Sequence, residues 1–142
     1  MHFVYIIYTP AFDRYYDGDT DNTICYSRST NGGLHWTDNE SIPNQKSKAS
    51  PALAAVNNTL HMMHVGDVDN TIWYSRSTDG GQHWTQNEPI PNQKSKATPA
   101  LAVIGNVLHM VHLGDQGNTI WHSYLDTEWH TNVKILDQST KV

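Results

Sequence analysis

The chain has one cysteine, nine lysines and arginines against fourteen aspartates and glutamates, and no long apolar run. Each shortage removes a class of protein. A lone Cys25 rules out an internal disulfide framework. A net charge of −5 argues against a surface that tracks phosphates, so no nucleic-acid partner is expected. No stretch is long and apolar enough for a transmembrane helix, so no membrane insertion is expected. The opening Met1–Tyr8 is apolar but lacks a basic leader region and a small-residue cleavage site, so it reads as a strand and no signal peptide is visible. Location is expected to be cytoplasmic or reached by non-classical export, with a trimmed leader left open. Helix formers at 3.6-residue spacing are also missing. What remains is Thr, Ser, Asn, Gly, Tyr and Trp, the composition of an all-β protein of one-domain length.

The positive feature is repetition. Asp19–Trp36 returns as Asp67–Trp84, an offset of 48 residues, and a third copy opens at Asp115 before it decays. Pro43–Ala49 recurs unaltered as Pro91–Ala97. A period of that length marks a repeat architecture whose units stack because none can bury its own face. In the middle repeat the strands are read as Pro51–Val56, Leu60–Val65, Thr71–Ser77 and His83–Ile90. Asn57-Asn58, Gly66–Asn70 and Thr78–Gly81 form the turns, and Pro91–Ala97 is a polar connector. Asn-Asn and Asp-Gly-Gly suit the positive φ angles that tight hairpins need. Four antiparallel strands per period describe a β-propeller blade.

The fold class is therefore an all-β propeller of three four-stranded blades, at residues 1–48, 49–96 and 97–142. In the first, Phe3–Tyr8 is expected to be the inner strand and Phe12–Tyr16 the second. Propellers need about 4–8 blades, so three must associate or form part of something larger. Six blades in a homodimer is the expectation.

Ser77-Thr-Asp79-Gly-Gly81-Gln-His-Trp84 fits the pattern Ser-x-Asp-x-Gly-x-x-Trp, and Ser29–Trp36 fits it with Asn31 for Asp. This resembles the Asp-box of the bacterial-neuraminidase-repeat propellers, which include sialidases, other glycosidases, sorting receptors and lectins. The third blade departs from it, since Ser123–Trp129 is three residues shorter than its equivalent Ser75–Trp84 and keeps only the Trp. The resemblance implies the fold and says little about function, because in those families the motif lies far from the ligand.

A sialidase-like mechanism would need an arginine triad, a Tyr–Glu pair and an acidic Asp. The arginines here are Arg14, Arg28 and Arg76, the last two being repeat equivalents. Other acids are scattered, without two tuned carboxylates for a glycosidase site. The chain is expected not to be an enzyme. His61-x-x-His64 and His109-x-x-His112 point to opposite strand faces and cannot chelate one ion. They read as packing between blades, and neither metal nor cofactor is implied.

The repeated polar loops carry the candidate function. The loop between the second and third strands shares a rim with the connector, opposite the Asp-box hairpin. That rim gathers the loop Gly66–Asn70 with the connector Asn92–Lys96, and Gly114–Asn118 with Asn44–Lys48, beside Trp73 and Trp121. The expected contacts are Asp67, Asn70, Asp115 and Asn118 from the loops, Gln45, Lys46, Gln93 and Lys94 from the connectors, and the two tryptophans. Planar polar groups beside a flat aromatic are the usual chemistry for sugars. The expected function is a carbohydrate-binding lectin, with glycans as partners and sites repeated between blades. It is similar in layout to multivalent propeller lectins. The first blade, with Cys25 at the Trp position, is expected to bind weakly or not at all. A propeller scaffold for protein interaction, or a part-propeller made to study the fold, is the alternative.

Overall fold

The computed structural model describes residues 4–8 and 22–139. It contains three antiparallel sheets and, among the described residues, no helix. The first holds β1 (Val4–Tyr8), β2 (Thr23–Ser29) and β3 (Glu40–Lys46). The second runs β4 (Ala52–Val56), β5 (Thr59–Val65), β6 (Thr71–Ser77) and β7 (Glu88–Lys94). The third runs β8 (Ala100–Ile104), β9 (Val107–Leu113), β10 (Thr119–Leu125) and β11 (Trp129–Ser139). Strands follow one another as simple meanders, and the three sheets do not close a ring.

The tight turns depend on the residues that the sequence places there. Val56 pairs with Thr59 across Asn57-Asn58, with Asn57 at φ 53°, and Gly105 takes φ 62° at the matching turn between Ile104 and Val107. In the Asp-box hairpins Gly32, Gly33, Gly80 and Gly81 all have positive φ. Asp79 organises its hairpin by accepting from the Ser77 hydroxyl (2.8 Å), the His83 amide (2.9 Å) and His83 Nδ1 (2.6 Å). Asn31 repeats the arrangement, accepting from Ser29 and from the His35 amide at 2.9 Å each.

The first blade corrects an expectation. β1 pairs directly with β2, Val4 opposite Ser29, just as Leu60 of β5 lies opposite Ser77 of β6. Val4–Tyr8 is therefore a second strand and not an inner one. Among the described residues the first sheet has three strands, so the four-stranded reading of 1–48 does not hold there. Pairing partners are 25 residues apart in this blade against 17 in the next. The extra residues fall between the two strands in the chain, and a fixed period projected backwards misses them. Phe12–Tyr16 lies outside the described residues.

The cores lie between sheets. Ile24, Tyr26 and Ile42 of the first sheet enclose Met62 of the second, with Leu53 and Trp84 packed against them. Met63, Ile72, Tyr74 and Ile90 of the second meet Leu108 and Met110 of the third, with Leu101, Leu125 and Trp129 alongside. Each such buried side chain contributes about 1.5–3 kcal/mol, all of it dependent on the neighbouring blade. The Asp-box Trp is a plug: Trp84 seats on the first blade, and Trp129 meets Tyr74 edge-on at 5.9 Å.

A second fastening is polar. Between Thr71, opposite Lys94, and Trp73, opposite Pro89, the β6–β7 ladder is bulged, and Asn92 in the bulge has φ 58°. The next residue, Gln93, exchanges hydrogen bonds with Ser123 of the third blade at 2.8 and 3.0 Å. One blade earlier, Asn44 has φ 61° and Gln45 bonds Ser75 (3.0 Å) and the Thr85 carbonyl (3.1 Å).

The hairpin carries a pH signature. Hydrogen bonds from the His83 backbone and side chain hold the Asp79 carboxyl well below the usual carboxylate range. A carboxylate depressed in the folded state adds stability that is present at neutral pH. It is lost as pH falls below the unfolded value, about 4. Asp79→Asn, which installs the residue the first blade already uses, should fold and show a shallower acid-side loss of melting temperature than the parent. Parallel acid titration of both proteins by thermal melting checks this, and identical slopes would remove Asp79 from the acid response.

Candidate functional site

The loop joining β5 to β6 is closed by the Gly66 amide donating to the Thr71 carbonyl (3.0 Å). Asp69 caps the strand that follows, accepting from the Thr71 amide (3.0 Å) and hydroxyl (2.9 Å). These bonds hold the Asp69 carboxyl below its ordinary value. Trp73 lies over this loop so closely that a Cβ on Gly66 would sit 2.8 Å from its Nε1. Gly114 faces Trp121 in the same way, at 2.9 Å. Glycine is required at both positions by the indole and not by the backbone angles.

The connector from the preceding blade passes beside this loop. Ser47 is buried and its hydroxyl donates to the Val65 carbonyl (3.0 Å), while the Lys48 amide reaches the same oxygen (3.1 Å). Lys48 Nζ then donates to Asn70 Oδ1. In the next blade Lys96 Nζ donates to the Gly117 carbonyl (2.5 Å) and Asn118 Oδ1 (3.0 Å).

Between connector and loop lies a cavity of about 380 Å³, lined by Asn44, Lys46, His64, Gly66, Asp67, Val68, Asp69, Trp73 and Asn87. His64 is fully buried there and bonds Asn87 Oδ1 through Nε2 at 3.2 Å. Burial pushes its pKa down, outweighing the opposing effect of Asn87, the Val65 backbone and Asp67, so the ring is neutral at physiological pH. With an acceptor opposite Nε2, the proton belongs on that nitrogen. The buried Nδ1, which has no hydrogen-bond partner, is left as an acceptor.

Three of the expected residues of this junction, Lys46, Asp67 and Trp73, come together around one cavity. Asn70 is drawn to Lys48. Asp115, Asn118, Trp121 and Lys94 stand at the repeat-equivalent positions of the next junction, with Asn118 held by Lys96. Gln45 and Gln93 are corrections. Each is only 2 % exposed, and both ends of each side-chain amide are used in the seam, so neither faces a ligand. The bulge that turns them inward is invisible in a strand pattern.

Sequence reasoning placed Asn44, Asp69, Lys48 and Lys96 on the rim without naming them as contacts, and it missed His64 and Asn87. The available signal was Asn in the repeated Pro-Asn-Gln-Lys, because Asn is one of the few side chains tolerated at positive φ. His61 and His64 do face opposite ways, His61 bonding the Tyr74 hydroxyl at 2.9 Å. Among the described residues no group of three or more metal-ligating side chains assembles. Arg14 lies outside the described residues.

No protein-family model matches the sequence, and no curated protein matches it. Solved structures do. A leech intramolecular trans-sialidase superposes with a TM-score of 0.65 at 16 % identity, over 82 % of this chain and 20 % of its own. The intramolecular trans-sialidase of Ruminococcus gnavus gives 0.63 at 15 %, over 82 % and 27 %. The NanB sialidase of Streptococcus pneumoniae gives 0.62 at 18 %, over 83 % and 20 %. The chain thus shares its fold with a part of the sialidases. It spans about a fifth to a quarter of the length of those proteins.

Gly66→Ala should push the Trp73 indole off the loop and destabilise the protein by about 1–3 kcal/mol, as overpacking does. Denaturant melts and the tryptophan emission maximum report both effects. An unchanged spectrum and midpoint would mean that the indole does not need the glycine.

Proposed function

We propose that the chain is a non-catalytic, multivalent carbohydrate-binding lectin whose sites lie between adjacent blades. The observation that carries this reading is the cavity in which Trp73 lies over a polar loop beside Lys46, Asp67, Asn44 and Asn87. The half-buried indole offers a flat apolar surface for a sugar ring. Side-chain amides and carboxylates meet its hydroxyls. Trp121 over Gly114 repeats the arrangement one blade on. Repetition suits a lectin, since linked weak sites gain about 10²–10⁴ in avidity. The sialidase fold of the neighbours agrees with a carbohydrate ligand. The cavity lining has no arginine, and one of its two carboxylates, Asp69, is committed to capping Thr71, which supports binding without hydrolysis.

Trp73→Ala, first shown to be folded, should weaken sugar binding at its junction by about 1–3 kcal/mol, by analogy with base–aromatic stacking. Glycan-array screening of the parent followed by calorimetric titration of the variant tests this. Full binding by the folded variant would take the tryptophan out of the site.

The functional unit is a homodimer of six blades. Trp84 and Trp129 each plug the preceding blade, whereas the equivalent Trp36 is 38 % exposed and Leu34 beside it 79 %. Ser27 occupies the place at which Ser75 and Ser123 receive a glutamine. Two equivalent contacts between blade three and blade one would cover both faces under a two-fold axis. Native mass measurement should therefore give a dimer that Trp36→Ala weakens. A stable monomer for the parent chain would overturn this arrangement, and a trimer would mean nine blades.

A further inference from the structure

A second cavity, of about 580 Å³, adjoins the first and shares Asn44 and Asn87 with it. Both volumes fall in the roughly 300–1,000 Å³ range of small-ligand pockets. On the first blade its walls include Tyr26, Glu40, Ser41 and Pro43; on the second they include Gln82, Trp84 and Gln86. It therefore runs from the Asn44–Asn87 wall it shares with the Trp73 cavity to the Asp-box hairpin along one inter-blade seam. Those two regions were expected to lie on opposite rims with no functional connection.

The surfaces of the second cavity match those of the first in kind. Trp84 is half-buried, packed on the cluster of Ile24, Tyr26, Ile42 and Met62, with its N–H committed to the Gly81 carbonyl at 3.2 Å. Its remaining exposed area is apolar ring. The Tyr26 hydroxyl is fixed by donating to Glu40 Oε2 at 2.9 Å, which leaves the phenol oxygen as an acceptor. Gln82, Gln86, Ser41 and Asn44 are exposed amides and a hydroxyl around it. The shared wall is rigid, because Asn87 is tied to the buried His64 and Asn44 is locked at positive φ by the strand bulge.

Charge narrows the ligand class. Glu40, Asp67 and Asp69 line the two cavities against one lysine, Lys46, and among the described lining residues there is no arginine. His64 stays neutral through burial. An anionic sugar would lose hydration facing three carboxylates, whereas a neutral one loses nothing comparable.

We propose that the two cavities form one extended site for a neutral, linear oligosaccharide of at least two sugar units. One unit lies on Trp73 and another beside Trp84, with Asn44 and Asn87 between them. The inference rests on the carbohydrate-binding reading above.

Nuclear magnetic resonance of the ¹⁵N-labelled chain tests it. The probes are one- to four-unit oligomers of glucose, galactose, mannose and N-acetylglucosamine, with sialyl-lactose as the charged comparison. In the series that binds, the Trp73 indole signal should move with every length. The Trp84 indole and the side-chain amides of Gln82 and Gln86 should move only with the longer oligomers. Affinity should rise roughly tenfold or more from one unit to four, the gain from one further good contact. The exposed pair Gln82→Ala/Gln86→Ala should reduce that gain and leave the single-sugar affinity unchanged. Shifts at Trp73 alone with affinity flat across lengths would overturn the extended site and leave the lectin reading standing. Sialyl-lactose binding as well as the neutral oligomers would overturn the charge argument. If no probe moves either indole, the lectin reading and the extended site fall together.

Discussion

Every sheet in this chain has to be covered by another sheet. Leu108 and Met110 are fully buried only because Met63, Ile72, Tyr74 and Ile90 lie opposite them, and Met62 depends in the same way on Ile24, Tyr26 and Ile42. Dispersion and the hydrophobic effect supply the energy but would tolerate sliding of one flat sheet over another. The Trp plugs and the Gln–Ser bonds set the registration. A buried glutamine with both ends of its amide satisfied fits one position only, since a slip would leave it desolvated at about 1–3 kcal/mol for each lost partner.

The same irregularity that makes the seam also makes the site. Asn44 at positive φ sends Gln45 into the next blade and leaves Asn44 and Lys46 on the surface, where both line the cavity beneath Trp73. Strand, bulge and connector thus distribute successive residues alternately between packing and solvent. His64 shows the same economy from the other blade, its Nε2 tied to Asn87 and its Nδ1 unoccupied. A ligand held there would bridge two blades and add to the seam that forms its own walls.

Much of the architecture was legible because it is written in local chemistry repeated at a fixed period. The β5 and β6 strands, the Asn57 turn and the Asp79 hairpin follow from alternation and turn residues within a few positions of one another. The last strand does not: β7 runs Glu88–Lys94, not His83–Ile90, so Pro91–Lys94 of the expected connector is strand, bulged at Asn92. A fixed period misreads the first blade because its paired second and third strands are 25 residues apart where the next blade has 17. The loop chemistry placed Lys46, Asp67 and Trp73 on one rim but grouped the Asp67 loop with the Asn92–Lys96 connector, whereas Lys46 of the preceding blade shares its cavity. It also could not tell that Gln45 and Gln93 turn inward. That distinction depends on the φ angle of one preceding asparagine. His64 was legible as a packed histidine, while its unpartnered nitrogen exists only once the three-dimensional neighbours are known.

The repeats are also not equivalent, and the differences bear on how the junctions would divide their work. Asp69, which caps Thr71, is replaced in the third blade by Gly117 at φ 73°, so that turn is made by backbone freedom and loses a negative charge. Tyr74 becomes His122, and the His61–Tyr74 bond becomes a near-coplanar His109–His122 contact of 3.0 Å. One imidazole must then be neutral to accept from the other, whereas a phenol served either way at neutral pH. Each exchange preserves the pairing of the blade while altering the charge or the hydrogen-bonding groups at a rim or a face. Geometry common to the blades therefore comes from packing, and the chemistry offered to a ligand or a neighbouring blade is set locally, junction by junction.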